Sequence, residues 1–493
     1  MNAAAATDFD AAALLGRLNA PVVRISSDSR QLRAGDAFAA YPGTRHDGRA
    51  YIADAVARGA GAILWETQGF NWNHAWKLPH LPVEELKAKL GFIAAAVYGH
   101  PSRELWMVGV TGTNGKTSCA HWIAAGLDAA GRRAAVLGTL GNGLIGALAP
   151  ATNTTPDAAL LQQMLAGYRA AGAQAVAMEV SSHGIDQGRI NGVAFDVALF
   201  TNLSRDHLDY HGTMAAYGAA KARLFGWPGL RIAVINADDA FGQSLIDAAH
   251  GHGRKVLSYG LGAADIVGTR LTATAAGLAF AVETPWGAGE VSTPLIGAFN
   301  AANLLGVLGV LLVSGVALDR ALEMLSRIEA PPGRMQRLGG GDRPLAVIDY
   351  AHTPDALDKV LTALRPAVNP GRELICVFGC GGERDRGKRP EMGRLAGRLA
   401  DRVLVTSDNP RSEDPAAIAS DIVHGIRDTG NRRYSVELDR ALAIARAIGE
   451  AARGDVVLLA GKGHETTQER DGEQQAFVDA EHAARALAAW GTR

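Results

Sequence analysis

A chain of 493 residues has room for about three domains of ~150 residues each. Its 49 Lys and Arg against 50 Asp and Glu leave a net charge of −1, which excludes the broad basic excess of a nucleic-acid binder. The cysteines, Cys119, Cys376 and Cys380, make no disulfide framework; the last two have no partner cluster for zinc, and low cysteine usage fits a reducing compartment.

The opening MNAAAATDFDAAALL has no basic run and carries acids, so it is not read as a secretory signal. Residues 1–100 mix short apolar runs with turns (VVRISSDSR, GDAFAAYPGTRHDGRAYI, GAGAILWE) and predict a small α/β domain. ELKAKLGFIAAAVYG at 85–99 predicts a helix that His100-Pro101 ends. From 105 to about 330, β-rich runs alternate with helical stretches: AAVLG (134–138), AVAMEV (175–180), VALFTNL (197–203) and RIAVINADD (231–239). That alternation predicts a mainly parallel sheet covered by helices. LLGVLGVLLVSGVAL (304–318) is too short and too rich in Gly and Ser to span a bilayer and reads as a buried helix; a soluble, cytoplasmic protein is expected. Pro331-Pro332-Gly333 reads as a linker. A second α/β unit follows, with strands expected at LAVIDY (345–350), ELICVFG (373–379), DRVLVTS (401–407) and DVVLLAG (455–461). Ligands of such sheets sit at the carboxyl ends of the strands.

VGVTGTNGKTSCAHWIAAGL (108–127) reads as strand, Gly-rich turn and helix. Amides at such a helix start cradle phosphate oxygens; Lys116 would neutralise phosphate charge and Thr117 would place its hydroxyl on Mg²⁺. The longer phosphate-loop pattern asks for Gly where Val110 stands, but the GTNGKT core is intact. In AMEVSSHGIDQGRI (177–190), Glu179 closes a strand that reads as buried, where a carboxylate is costly without a cation or donors. TNLSRDHLDYHG (201–212) offers His207 beside Asp206 and Asp209. AAYGAAKARLF (215–225) carries Lys221, and a helix lysine is ordinarily solvated. GAFNAANLLG (297–306) puts Asn300 and Asn303 at the start of the apolar helix, where Asn often caps amides. PGRMQ (332–336) with Arg334, DYAHTPDAL (349–357) with Asp349 and His352, GCGGERDRGKRPEMG (379–393) and LLAGKGHET (458–466) add polar loops. In TSDNPRSEDP (406–415), Asn-Pro signals a turn and Pro410 fixes φ, so Arg411 gets a defined place after a strand.

GTNGKT, MEVSSHG, NLSRDHLDYHG with its downstream lysine, GAFNAAN, PGRMQ, DYAHTPD, GCGGERDRGKRP, DNPR and GKGHE, in this order, resemble the Mur ligases, from Asp28 to Glu465. Within that family the likeness is to the branch that adds diaminopimelate. It implies a UDP-substrate domain (1–100), a central P-loop ATPase domain (101–332) and a C-terminal Rossmann-like domain (333–493) that closes the site and binds the incoming amino acid. It implies a monomer that joins meso-2,6-diaminopimelate to UDP-N-acetylmuramoyl-L-alanyl-D-glutamate with ATP and two Mg²⁺, through an acyl phosphate, without nucleic acid or membrane insertion. Carried over by motif, Lys116, Glu179, His207 and Lys221 are the catalytic set; Thr117, Glu179, His207 and Lys221, the last as N6-carboxylysine, are the metal ligands. Gly112, Thr113, Asn114, Gly115, Lys116, Thr117, Ser118, Asn303, Arg334 and Asp349 belong to ATP. Ser27, Ser29, Asn153, Thr154, Thr155, Ser181, Gln187 and Arg189 resemble UDP-substrate contacts, with Thr44-Arg45-His46 on a further substrate loop. Arg384, Asp408, Asn409, Pro410, Arg411, Gly461 and Glu465 resemble the diaminopimelate pocket.

Sister ligases adding L-lysine or D-Ala-D-Ala are the nearest rivals, and DNPR argues against both. Folylpolyglutamate synthetase shares the ATPase core but lacks the domain carrying Asp28-Ser29-Arg30. From a different class, a P-loop regulatory protein would need a base-reading N-K-x-D, which the sequence lacks.

Overall fold

The computed structural model describes residues 9–43, 46–251, 253–274 and 276–491, so Thr44 and Arg45 of the expected substrate loop lie outside it. The chain divides into two compact units, Met1–Ile266 with Leu305–Ala321, and Val267–Leu304 with Leu322–Arg493. Among the described residues no helix is long and apolar enough to cross a membrane.

The first unit opens with a parallel sheet in chain order: β1 (Ile25–Ser26), β2 (Ala37–Ala40), β3 (Ala62–Glu66) and β4 (His80–Val83). Every residue of β2 and β3 is buried, because both faces are covered. Ala37, Ala39 and Leu64 pack on Leu86, Leu90 and Ile93 of the helix Leu86–Val97, while Phe38, Ile63 and Trp65 pack with Trp72 on the other face. A larger sheet follows, which includes β5 (Trp106–Thr111), β6 (Ala134–Gly138), β7 (Gly141–Leu144), β8 (Ala147–Ala149), β9 (Ala175–Glu179), β10 (Val197–Phe200), β11 (Ile232–Asn236) and β12 (Lys255–Gly260). Their order is β12-β11-β10-β5-β9-β6-β7-β8, parallel as far as β6 and antiparallel over β7 and β8. β5 lies between β10 and β9, so the loops leaving these three carboxyl ends meet, as ligand crevices of open α/β sheets do.

The apolar helix expected at 304–318 runs Phe299–Val313 instead. Ser314 turns its hydroxyl back to the Val310 carbonyl (2.6 Å) and accepts from Trp106 Nε1 (2.9 Å), and Gly315 follows at φ +88°. A left-handed glycine stops a helix whatever the hydropathy beyond it. Likewise the strand expected at 197–203 stops at Phe200, where the polar site loop begins.

The second unit contains the antiparallel strands β13 (Ile266–Thr274), β14 (Gly277–Thr284) and β15 (Gly287–Thr293). Its main sheet has β16 (Arg334–Gly339), β17 (Leu345–Asp349), β18 (Leu374–Phe378), β19 (Arg402–Val405), β20 (Tyr434–Val436) and β21 (Val456–Ala460), in the order β16-β17-β21-β18-β19-β20, with β16 alone antiparallel. The helices Pro354–Leu364 and Pro415–Arg427 start on the same device: a capping Thr353 or Asp414 followed by proline in the first turn. They cover one face, and Arg440–Glu450 and Asp479–Ala488 cover the other. Arg440 and Asp479 are a fully buried pair: Nε and Nη2 each donate to the carboxylate at 2.7 Å. The same guanidinium donates to the carbonyls of Ala460 (3.0 Å) and Ser407 (3.4 Å). A separate hairpin, β22 (Thr467–Arg470) and β23 (Glu473–Ala476), follows β21.

Candidate active site

β5 leads into Gly112 at φ +149°, where a Cβ would collide with Thr201 Oγ1. Gly115, at φ +85°, precedes the helix Lys116–Ala129. The loop is fixed from β10: Thr113 N donates to Asn202 O (2.8 Å), Asn114 N to Asn202 Oδ1 (2.9 Å), and Thr201 Oγ1 to Asn114 O (2.6 Å). Val110 is a buried strand residue paired with Leu199 and Glu179, so the missing glycine falls in the sheet and not in the loop. Lys116 Nζ folds back on the carbonyls of Gly112 (2.9 Å) and Thr113 (2.8 Å), and Ser118 is buried in the first helical turn.

Glu179 is 1% exposed. It accepts from Thr117 Oγ1 (3.0 Å), Thr139 N (2.7 Å) and Thr139 Oγ1 (3.3 Å), the donors a buried carboxylate requires. Gly138 leaves it room, since a Cβ there would overlap the carboxylate. Lys221, on the helix Met214–Phe225, is 1% exposed against the ordinary expectation for a helix lysine. Its Nζ donates to Gly112 O (2.8 Å) and lies 4.4 Å from the centre of the Tyr217 ring. Burial, with the nearby Lys116 charge, pushes its pKa well below the usual lysine value. Tyr217 Oη reaches Thr113 Oγ1 (3.2 Å), tying this helix to the phosphate loop. His207 has φ +52° and lies beside Asp206 (3.4 Å). Its ring is 44% exposed; desolvation of the covered part holds its pKa below the ordinary imidazole value, and Lys116 and Lys221 act the same way. Among the described residues no group of three or more His, Cys, Asp and Glu side chains gathers as a metal site.

The residues expected on the UDP substrate form a network that reaches Glu179 through its backbone. Thr155 Oγ1 donates to Glu179 O (2.9 Å) and meets Ser181 Oγ (3.0 Å). Arg189 donates to Thr155 O (2.8 Å) and twice to Gln187 Oε1 (3.0 and 2.7 Å). Thr154 and Thr139 hydroxyls meet at 3.0 Å. Ser27 Oγ donates to Asp157 Oδ1 (3.2 Å), which caps the helix Ala158–Ala170; this joins the first sheet's loop to the set. Ser29 is buried, and Asn153 is exposed.

In the second unit Asn300 Nδ2 donates to Ile296 O (2.8 Å) and Asn303 Nδ2 to Asn300 Oδ1 (3.1 Å), bonds unlike amide capping. Asp349 accepts from Met335 N and Ala351 N (2.9 Å each). Burial raises its pKa, opposed by Arg334, whose guanidinium lies 4.8 Å from the Tyr350 ring centre. Asp408, Asn409 and Glu465 converge on Lys462, a fully buried amine that sequence reading passed over although it lies inside GKGHE. Its Nζ donates to Glu465 (2.8 Å) and Asn409 Oδ1 (3.1 Å) and lies 3.9 Å from Asp408. Asn409 Nδ2 also reaches Glu465 (2.9 Å). Burial pushes the Asp408 carboxyl above the usual range, with Arg440 and Lys462 opposing. Gly461, at φ +112°, lets the chain pass Asp408. Pro410 is buried; Arg411 follows at φ +55°, with Nη1 on Gly382 O (2.7 Å) and Nε on Glu469 (3.2 Å). Glu469 was outside every motif. Arg384 stands exposed on the turn after β18, where a Cβ on Gly381 would meet its Cγ (3.6 Å) and Arg411 Nη1 (3.2 Å).

Three family models match the chain: "Mur ligase family, catalytic domain" at 21–98, "Mur ligase middle domain" at 110–311 and "Mur ligase, glutamate ligase domain" at 333–463. A protein of Chromobacterium violaceum named UDP-N-acetylmuramoyl-L-alanyl-D-glutamate–2,6-diaminopimelate ligase is 52% identical over 99% of this chain and 98% of its own. A Pseudomonas aeruginosa protein of the same name is 52% identical over 94% and 95%. A solved structure so named superposes with a TM-score of 0.70 at 39% identity, covering 95% of both chains. MurF from Acinetobacter baumannii shares the fold, with a TM-score of 0.65 at 20% identity over 89% of this chain and 90% of that one. With such likeness across nearly its whole length, the chain belongs to the Mur ligase family.

Proposed function

We propose that this chain is an ATP-dependent amide ligase that joins meso-2,6-diaminopimelate to UDP-N-acetylmuramoyl-L-alanyl-D-glutamate, as a cytoplasmic monomer, in peptidoglycan precursor synthesis. The observation that carries the reading is Glu179: its carboxylate bonds the phosphate-loop residue Thr117, and its own carbonyl bonds Thr155 of the Ser181–Gln187–Arg189 network. Phosphate chemistry and an acceptor cradle thus share one residue. Residues 1–100 and 101–332 would serve the UDP substrate and ATP, and 333–493 the incoming amino acid.

A carboxylate attacking a triphosphate brings anions together, and that repulsion is the barrier to be lowered. Lys116, the loop amides and the amino end of the helix Lys116–Ala129 supply positive charge for the phosphates, with Asn303, Arg334 and Asp349 for the rest of the nucleotide. Arg189, Gln187 and Ser181 offer donors to the UDP-dipeptide. The D-Glu carboxylate takes the γ-phosphoryl group, ADP leaves, and the diaminopimelate amine displaces phosphate from the acyl phosphate. Mg²⁺ fits the donors present: the Thr117 hydroxyl and Glu179 carboxylate are hard oxygens, and the lowered pKa of His207 favours its neutral ring. Bound there, it supplies charge neutralisation on the phosphates. The depressed pKa of Lys221 favours the neutral amine, the form that adds to CO₂. A C–N bond forms, the nitrogen gives up a proton, and the resulting N6-carboxylate is an anion suited to a second Mg²⁺. Arg411 offers the distal carboxylate of diaminopimelate a planar fork, and Asp408, Asn409 and Glu465 suit its ammonium.

Phosphate release, measured with each substrate omitted in turn and with a panel of amino acids, tests the reading. Release should require the UDP-muramoyl dipeptide and diaminopimelate together; release without either, or equal use of L-lysine, would overturn it.

A further inference from the structure

Arg411 already has a carboxylate of its own. Glu469 Oε2 lies 3.2 Å from Arg411 Nε, and both side chains are only partly exposed, at 36% and 21%. The other guanidinium contact is Nη1 on Gly382 O at 2.7 Å, so neither uses Nη2. The loop is also held in place by bonds that do not involve the Glu469 carboxylate. Arg411 N donates to Glu469 O (3.1 Å), Asp471 N to Arg411 O (2.8 Å), Glu469 N to Asn409 Oδ1 (3.0 Å), and Gln468 Nε2 to Asp408 O (2.7 Å). A parallel bridge between Arg411 and Arg470 completes this edge. The carboxylate is therefore an electrostatic partner and not the sole strut of the loop.

We infer that Glu469 is a specificity-determining residue: its carboxylate is a resident counter-ion of Arg411 that weakens the grip on a substrate carboxylate and narrows the preference for a diamino diacid over a diamino monoacid. This rests on the proposed role of Arg411. An incoming carboxylate must share the guanidinium with Glu469 and meets a like charge beside it. With lysine, which lacks the distal carboxylate, Arg411 keeps Glu469 and is not left as an uncompensated charge. Both effects push the two substrates toward parity.

The test is steady-state kinetics of the full chain with diaminopimelate and with L-lysine, for wild type, Glu469→Gln, Arg411→Ala and the double variant. Glu469→Gln keeps the shape and an acceptor oxygen but removes the charge. The KM for diaminopimelate should fall about two- to fivefold, the scale of a part-exposed ion pair, and the kcat/KM ratio of diaminopimelate to lysine should rise by at least that factor. In the Arg411→Ala background the same change should lower that KM by a smaller factor, since the competition for the guanidinium is gone and only the like charge remains to be relieved. An unchanged or higher KM in Glu469→Gln, with Arg411→Ala still selectively impaired for diaminopimelate, overturns the role of Glu469 and leaves the pocket reading standing. An Arg411→Ala enzyme with wild-type preference overturns both.

Discussion

Thr117 Oγ1 donates to Glu179 Oε2 over 3.0 Å, and the amide of Thr139 reaches the other oxygen of that carboxylate at 2.7 Å. One buried acid thus joins the phosphate-loop helix to the turn after β6. Lys116, next in chain to Thr117, is half-buried and turns its ammonium onto two loop carbonyls, so its charge lies at the loop and not in the apolar core.

Lys116→Ala should therefore lower ADP formation by about 10²–10³-fold, the scale of losing one preorganised charge. It should cost on the order of 1 kcal/mol or less in stability. Turnover assays beside thermal melting check this; near-normal turnover in a folded variant would remove Lys116 from the phosphate site.

Lys221→Ala should be nearly inactive, and a short carboxylic acid such as acetate should restore part of the activity by filling the carboxylate position. Protonation competes with addition to CO₂, so in wild type the modified fraction should rise with pH and with bicarbonate. Activity of CO₂-depleted enzyme, with and without added bicarbonate, reads this out. A buried unmodified ammonium in a high-resolution structure of active enzyme would count against it; a normal mass after acidic ionisation would not, since the carbamate is acid-labile.

Arg411→Ala should raise the KM for diaminopimelate about 100-fold while leaving the KM for ATP within about twofold, because a charge-assisted bidentate contact is worth ~1.5–3 kcal/mol. The gap to L-lysine should narrow. Parallel kinetics with both amino acids decide the matter, and retained wild-type preference would return Arg411 to an ordinary turn residue.

Asp408→Asn separates stability from function. Burial raises the pKa of Asp408 in the folded state, so the folded chain holds that proton more tightly than the unfolded chain. Stability from this group is then present below the unfolded carboxyl pKa and lost as pH rises through the folded one. At pH 7 the Asn variant should be more stable than wild type by roughly 1 kcal/mol, with the advantage vanishing in acid, while diaminopimelate KM rises. Melting curves at pH 4.5 and 7.5 test the sign: an advantage that grows toward acid would refute it.

The sheets were legible because strands covered on both faces read as continuous apolar runs, as at 134–138 and 345–349. The end of the apolar helix was not, because hydropathy continues past Val313 while the backbone of Gly315 stops it. Phosphate-loop residues announce themselves through glycine spacing. Lys221 was conspicuous only through resemblance, since no local pattern says that a helix lysine is buried. Tyr217 was findable in principle: it lies one helical turn before Lys221, on the same face. Thr139 and Glu469 carry no local signal at all, for each acquires its partner across a long stretch of chain, 40 residues in the case of Thr139 and Glu179.

The buried pair of Arg440 and Asp479 constrains how this chain can be shortened or rewired. Asp479 opens the last helix, while Arg440 grips the carbonyls of Ser407 and Ala460, the residues just before Asp408 and Gly461. A truncation ahead of Asp479 would strand a guanidinium in the interior next to the loops after β19 and β21, at a cost of ~3–5 kcal/mol for a broken buried pair. The helix Asp479–Ala488 would thus support the proposed amino-acid pocket, though no residue of it is placed there. Circular permutants opened in the β22–β23 turn would keep the pair intact, whereas fragments ending at the last strand of that hairpin would not.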